Sequence, residues 1–255
     1  MPGSAALAKL RDKAKSGMSP LPPVRAYRDA APLVAALQGK LPKTVTTVQN
    51  TAGGNEIRER GAAKVRAKPV SWAIPLDEIV FTRFFTNWLR LRVMPWDDFY
   101  TIGSTYLPDA RNTLHQFFVE ESQCEHLVML DSDVLPPPDF LDRLLAHNLP
   151  LVGGWYRKKD EFGTPCVYDY VSQDGNDVYW WRARKTPGEG LEQVDGAGAG
   201  CWLMRRDVAE ALGPKPYDMN QGGEDLALCK RVTDLGFPIF IDWSVACAHA
   251  GVALA

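Results

Sequence analysis

The chain has 255 residues, with 29 Lys and Arg against 31 Asp and Glu, and this near-balance hides two unlike parts. Residues 1–70 carry 13 basic and 4 acidic side chains, a charge of +9, whereas residues 71–255 carry 16 and 27, a charge of -11. The second part is long enough for one large core and too short for two full domains. No apolar run approaches the roughly 18 residues that cross a bilayer, and the start is too weakly apolar for a signal peptide, so a soluble, cytoplasmic protein is expected. Cys124, Cys166, Cys201, Cys229 and Cys247 are odd in number, widely spaced and without a C-x-x-C pair. They point to free buried thiols rather than to a disulfide framework or a thiolate zinc site.

Residues 1–68 read as a basic, Pro- and Gly-containing extension and residues 69–255 as the folded domain. Of all the Trp, Phe and Tyr, only Tyr27 precedes Ser71, and seven of the 19 prolines lie in residues 1–70. Burial can offset little of the ordering entropy of such a segment. Short helices are expected at 5–15 and 31–38, an edge strand at 44–48 and a turn at 51–55. The charge admits two readings: an electrostatic arm for a polyanion such as nucleic acid, or a solvated tail that packs on the acidic domain.

From residue 69 strand-like and helix-like segments alternate, which predicts an α/β sandwich with a mainly parallel sheet. A strand at 70–74 ends at Pro75 and is followed by a helix at 77–92 with apolar residues at helical spacing. A second helix at 107–119 opens with Pro108-Asp109. The apolar strand 126–130 runs into Asp131-Ser132-Asp133, three prolines follow, and a helix at 139–146 leads to a strand at 149–153. Several short strands with a Gly-rich turn are expected over 165–204, a helix over 223–235 and a strand over 238–241.

Ligands of open α/β sheets collect beyond the carboxyl ends of strands, which is where Asp131 and Asp133 fall. Two carboxylates at i and i+2 can hold a hard cation while substrate phosphates fill the remaining positions. Gly222-Gly223-Glu224-Asp225 starts a helix with acids in its first turn, where the free N–H groups and the dipole favour negative charge. His249 follows in a small-residue setting. Gly196-Ala197-Gly198-Ala199-Gly200 allows either close backbone approach to a ligand or a tight turn into a strand. Tyr179-Trp180-Trp181-Arg182-Ala183-Arg184-Lys185 and Trp155-Tyr156-Arg157-Lys158-Lys159 each read as an edge strand or as a surface that stacks on a sugar or base and meets phosphate.

In order, the strand ending in Pro75, Ala110-Arg111-Asn112, the D-x-D at 131–133, Gly198 to Met204, Gly223-Glu224-Asp225 and His249 resemble the GT-A glycosyltransferases. The likeness is to the inverting family-2-like group and its compact viral and bacterial, phage-type relatives, and it covers roughly residues 70–251. It implies a Rossmann-like GT-A sandwich and a soluble hexosyltransferase that moves one sugar from a nucleotide-sugar, a UDP-sugar first, with Mn2+ or Mg2+. By the same resemblance Asp133 ligates the metal with His249 as distal ligand, and Asp131 faces the ribose or a metal-bound water. Asp225 is the catalytic base with Glu224 orienting the acceptor or exchanging that role, and Arg111, Pro75 and Asp77 lie on the nucleotide side. The usual Asn-Glu after the proline is replaced by Leu76-Asp77-Glu78, and no Q-x-x-R-W segment follows the acidic helix, which argues against a processive synthase.

Some phage-type relatives glycosylate hydroxymethylated bases, so modified DNA is the specific acceptor hypothesis, with a glycan, protein or small-molecule acceptor beside it. A non-catalytic nucleotide- or glycan-binding module is the competing class; retention of every expected acid argues against it. A nucleotidyltransferase lacks support, because no Gly-rich phosphate loop followed by Lys lies near the first strand.

Overall fold

The computed structural model describes the strands 45–51 and 54–60 and residues 66, 68–76, 80–103, 106–160, 162–173, 179–219 and 222–250. The helices expected at 5–15 and 31–38 lie outside the described residues. The edge strand expected at 44–48 is β1 (Val45–Thr51), paired antiparallel with β2 (Gly54–Arg60) in a hairpin.

The domain is built on a seven-stranded sheet. Its strands are β3 (Ser71–Leu76), β4 (Asp98–Gly103), β5 (His126–Leu130), β7 (Leu151–Trp155), β10 (Leu191–Val194), β12 (Cys201–Arg205) and β13 (Ile239–Ala246), in the order β10-β13-β7-β12-β5-β3-β4. Five of these strands run one way; β12 and β10 are reversed, each antiparallel to its neighbours. The mainly parallel α/β sheet expected from the sequence is therefore present. Beside it lie a three-stranded sheet of β8 (Val167–Gln173), β9 (Tyr179–Ala183) and β11 (Gly196–Ala197), and a two-stranded ladder of β6 (Val134–Leu135) and β14 (Ala248–His249).

Side chains alternate across a strand with period two, so a sheet covered on both faces needs strands that are apolar throughout. On β5, Leu127 and Met129 enter one core and Val128 and Leu130 the other; on β12, Trp202 and Met204 oppose Cys201 and Leu203. Helices α2 (Leu107–Glu121), α4 (Arg206–Leu212) and α5 (Glu224–Asp234) cover the first face through Leu114, Phe118, Val208, Leu228 and Val232. Helices α1 (Thr82–Trp88) and α3 (Phe140–His147) cover the second through Phe84, Phe140 and Leu144. Each such large side chain contributes about 1.5–3 kcal/mol on burial.

Local chemistry sets the helix ends. A proline at N1/N2 and Asp109 in the first turn open α2, using the missing donor and the positive end of the dipole. Asn148, at φ 51°, closes α3 in the left-handed conformation. At the start of the domain the buried Asp97 carboxylate collects bonds from Arg66, the Val70 and Met94 amides and the Trp72 indole. All five cysteines are free, and four are buried.

Candidate active site

The strand β5 is buried to its last residue and delivers Asp131 to the edge of the core. The Asp131 amide donates to Gly200 O at 3.0 Å, and Val134 N returns to Asp131 O at 3.1 Å, closing the turn that carries Asp133. The two aspartates then face different partners.

Asp131 turns inward to Arg111, which lies on α2 and is 1 % exposed. The Arg111 Nη2 donates to both carboxylate oxygens of Asp131, at 3.0 and 2.8 Å. Its Nη1 donates to Glu224 Oε1 at 2.8 Å and to Asp225 Oδ1, both on the first turn of α5. Burial alone would lower the guanidinium's proton affinity, but Asp131 and Asp225 hold it well above the ordinary arginine value. One buried cation thus collects three acids from two distant segments, an arrangement in which each charge depends on the others for compensation. Burial pushes the Asp225 carboxyl up; Arg111 opposes that, and Glu224 and Asp131 reinforce it, leaving it at about 6. A carboxylate tuned toward neutrality is suited to taking a proton and passing it on.

Asp133 turns the other way. The ladder β6–β14 pairs His249 with Val134, and Ala250 N donates to Asp133 O at 2.6 Å, so the end of the described chain lies against the D-x-D turn. His249 Nε2 is 3.5 Å from Asp133 Oδ2, and Lys159 Nζ is 2.5 Å from the same oxygen. Burial would raise the Asp133 carboxyl, but His249 and Lys159 hold it below the usual carboxylate range.

The His249 ring is fixed from behind: its Nδ1 is 2.7 Å from Arg157 O, and against a carbonyl that nitrogen can only donate. In the neutral ring the Nε2 lone pair then faces the Asp133 carboxylate. Two acceptors so placed suit a shared cation, with the carbonyl supplying the outer bond that orients a metal-bound histidine. The donor set fits a divalent ion that takes its remaining ligands from phosphate and water. Among the described residues no group of three or more His, Cys, Asp or Glu is assembled for a metal, and Asp131 pairs with Arg111 instead.

The Gly-Ala-Gly-Ala-Gly run makes room for these side chains. A Cβ on Gly200 would sit 2.8 Å from Tyr156 Oη and 2.9 Å from Asp131 Oδ2, and one on Gly198 would overlap Tyr156 Oη. The buried Tyr156 accepts from Gly200 N at 3.0 Å and meets the His249 ring edge-on, with centroids 5.0 Å apart. Tyr217 stacks its ring 5.8 Å from the Arg111 guanidinium, and Asn112 pins the Tyr217 backbone with bonds of 2.8 and 2.9 Å.

The expected residues thus fall into two adjoining groups, Asp131 with Arg111, Glu224 and Asp225, and Asp133 with His249. Arg111 reaches acids with four of its bonds and is buried. Pro75 lies buried near the end of β3, and Asp77 lies outside the described residues. Sequence reasoning missed Lys159 as a partner of Asp133, and Tyr156 and Tyr217 as supports; no local spacing links them to the acids. On β9, Trp180 is exposed, while Arg182 and Arg184 spend charge on Asp169 at 3.3 and 2.9 Å, and Arg184 also on Glu192 at 2.7 Å.

No family model and no curated protein sequence matches this chain. Among solved structures it is similar to A197 from STIV, with a TM-score of 0.55 and 20% identity over 72% of this chain and 86% of that one. It is also similar to GalNAc-T7 with UDP, GalNAc and Mn2+, with a TM-score of 0.46 and 13% identity over 71% of this chain and 44% of that one. The chain has the mainly parallel α/β architecture expected from its sequence and shares its fold with A197.

Proposed function

We propose that this chain is a metal-dependent glycosyltransferase that moves a single sugar from a nucleotide-sugar, a UDP-sugar first, to an acceptor hydroxyl. The observation that carries the reading is the pairing of two sites at one strand end: a His249–Asp133 donor pair and a half-buried carboxylate, Asp225, tuned to about 6.

Asp133 and His249 would hold Mn2+ or Mg2+, which when bound neutralises charge on the diphosphate leaving group. Lys159, on a long and partly exposed stem, releases the Asp133 oxygen for that ion. Asp225 accepts the proton of the acceptor hydroxyl. Glu224, on the same helix turn, orients the acceptor, and Arg111 keeps both acids pointed at one place and Asp225 ionised above about pH 6. Asp131, held on both oxygens, faces the donor as a fixed acceptor. The +9 charge of residues 1–70 supports a polyanionic acceptor, with hydroxymethylated DNA as the specific case.

The test is nucleotide release from a panel of nucleotide-sugars with Mn2+ or Mg2+, with hydroxymethylated DNA, glycans and small hydroxyl compounds as acceptors. Turnover with one donor, abolished by Asp133→Asn and Asp225→Asn, supports the proposal. Absence of turnover with every donor, or variants as active as the parent, overturns it.

A further inference from the structure

Helix α1 and the segment after it are apolar on two sides. Inward, Phe84 is buried and Trp88 packs on Trp72, Phe84 and Phe99, with centroids 5.1, 6.3 and 5.2 Å away. Outward, Phe81, Phe85 and Leu89 form a stripe at i, i+4 and i+8, and Val80, Val93 and Trp96 just before and after it in the chain are also exposed; Phe85 is 58% exposed and Leu89 68%. An exposed apolar stripe opposite a buried face marks a surface that meets a partner or an apolar phase.

Within residues 80–96 the charge has one sign. Arg83 and Arg90 are exposed beside it, Arg92 pairs with Asp142, and no Asp or Glu occurs from Val80 to Trp96. We infer that this face docks the protein on an anionic lipid surface, with Phe85, Leu89 and Trp96 entering the headgroup boundary and Arg83 and Arg90 meeting lipid phosphates. A second copy of the chain is a poorer occupant, because a two-fold contact sets the same arginines against each other. Residues 1–70, at +9, are no complement in charge either. A nucleic acid strand would use the arginines and stack on the aromatic rings, but it leaves Leu89, Val80 and Val93 without a partner. A bilayer interface accepts aliphatic and aromatic groups alike.

The patch adjoins the candidate site. The Phe81 ring lies 5.9 Å from Lys159 Nζ, the group that holds Asp133. Docking through this face therefore sets the mouth of the site beside the lipid surface.

The experiment is flotation of the full chain with phosphatidylglycerol–phosphatidylcholine vesicles and with phosphatidylcholine alone, at low and high salt. The parent chain is expected to float with anionic vesicles. F85D/L89D reduces the bound fraction at least about tenfold, and R83E/R90E reduces it strongly at low salt, both with melting curves like the parent's. Because all four positions are exposed, the arginine pair serves as the second variant should the aspartate pair fail to fold. Absence of parent binding, or F85D/L89D binding like the parent, overturns the inference. So does a result in which the substitutions split a dimer or abolish single-stranded DNA binding while vesicle binding is absent. The readout needs no sugar donor, so it stands or falls independently of the transfer reaction.

Discussion

His249 Nε2 faces Asp133 Oδ2 at 3.5 Å because a ladder of two-residue strands lays the two segments side by side, with the ring braced by the Arg157 carbonyl. His249→Ala should leave the fold intact and raise the Mn2+ or Mg2+ concentration that supports half-maximal turnover by about 10-fold or more. A metal titration of nucleotide release checks this, with circular dichroism as the folding control. An unchanged metal requirement would remove His249 from the ion's ligands.

Among the described residues Arg111 is the one cation paired with the three half-buried carboxylates of Asp131, Glu224 and Asp225. Arg111→Met should destabilise the domain by up to about 3 kcal/mol, because it leaves three half-buried carboxylates side by side without a cation. Arg111→Lys keeps the charge, loses the fork and should cost less. Turnover of the parent should rise as pH climbs through about 6, where Asp225 ionises. In Arg111→Lys the bond that stabilises ionised Asp225 is weakened, so its carboxyl rises and the acidic limb of the pH–rate curve moves to higher pH. A limb that stays in place would show that Asp225 is not the titrating base.

His115 on α2 is buried, with Nε2 3.0 Å from Ala209 O and Nδ1 without a partner. Burial lowers it to about 4, a trend the Ala209 carbonyl only partly offsets. The neutral ring is therefore the folded form. Below about pH 6.5 the unfolded chain takes a proton that the fold resists, so stability falls as pH drops from 6.5 to 4 and levels off beneath, a loss of about 3 kcal/mol. Denaturant unfolding across that range should show the slope, and His115→Gln should flatten it.

Gly198 and Tyr156 occupy one space. Gly198→Ala overlaps the Tyr156 hydroxyl and should cost about 1–3 kcal/mol. In a Tyr156→Phe background part of that penalty should vanish, because the oxygen is gone. A double-mutant cycle measured by thermal unfolding gives the coupling, and simple additivity would place the strain elsewhere.

Much of the scaffold was legible in the chain itself. The strand before Asp131 was expected at 126–130 and found there, because four consecutive apolar residues, Leu127 to Leu130, ending at a carboxylate suit a short strand buried on both faces. Pro108-Asp109 marked the start of α2, and the acids after Gly223 marked that of α5. Elements whose signal was weak were missed. These were β2, the two-residue strands β6 and β14, β4, half-exposed along the sheet edge, and α4, seven residues long. The helix expected at 77–92 is described only as Thr82–Trp88, and the strand expected at 238–241 continues to Ala246.

The site divided in the same way. Residue types and order were enough to single out Asp131, Asp133, Glu224, Asp225 and His249. Their grouping was decided by the fold: the buried Arg111 guanidinium needs carboxylate partners, and the acids that pair with it come from the end of β5 and the start of α5, far apart in sequence. Likewise the pairing of β6 with β14 has no local propensity behind it. Two-residue strands form only because the sheet and its loops already hold both segments within hydrogen-bonding distance, and that proximity sets the acidic turn beside the histidine.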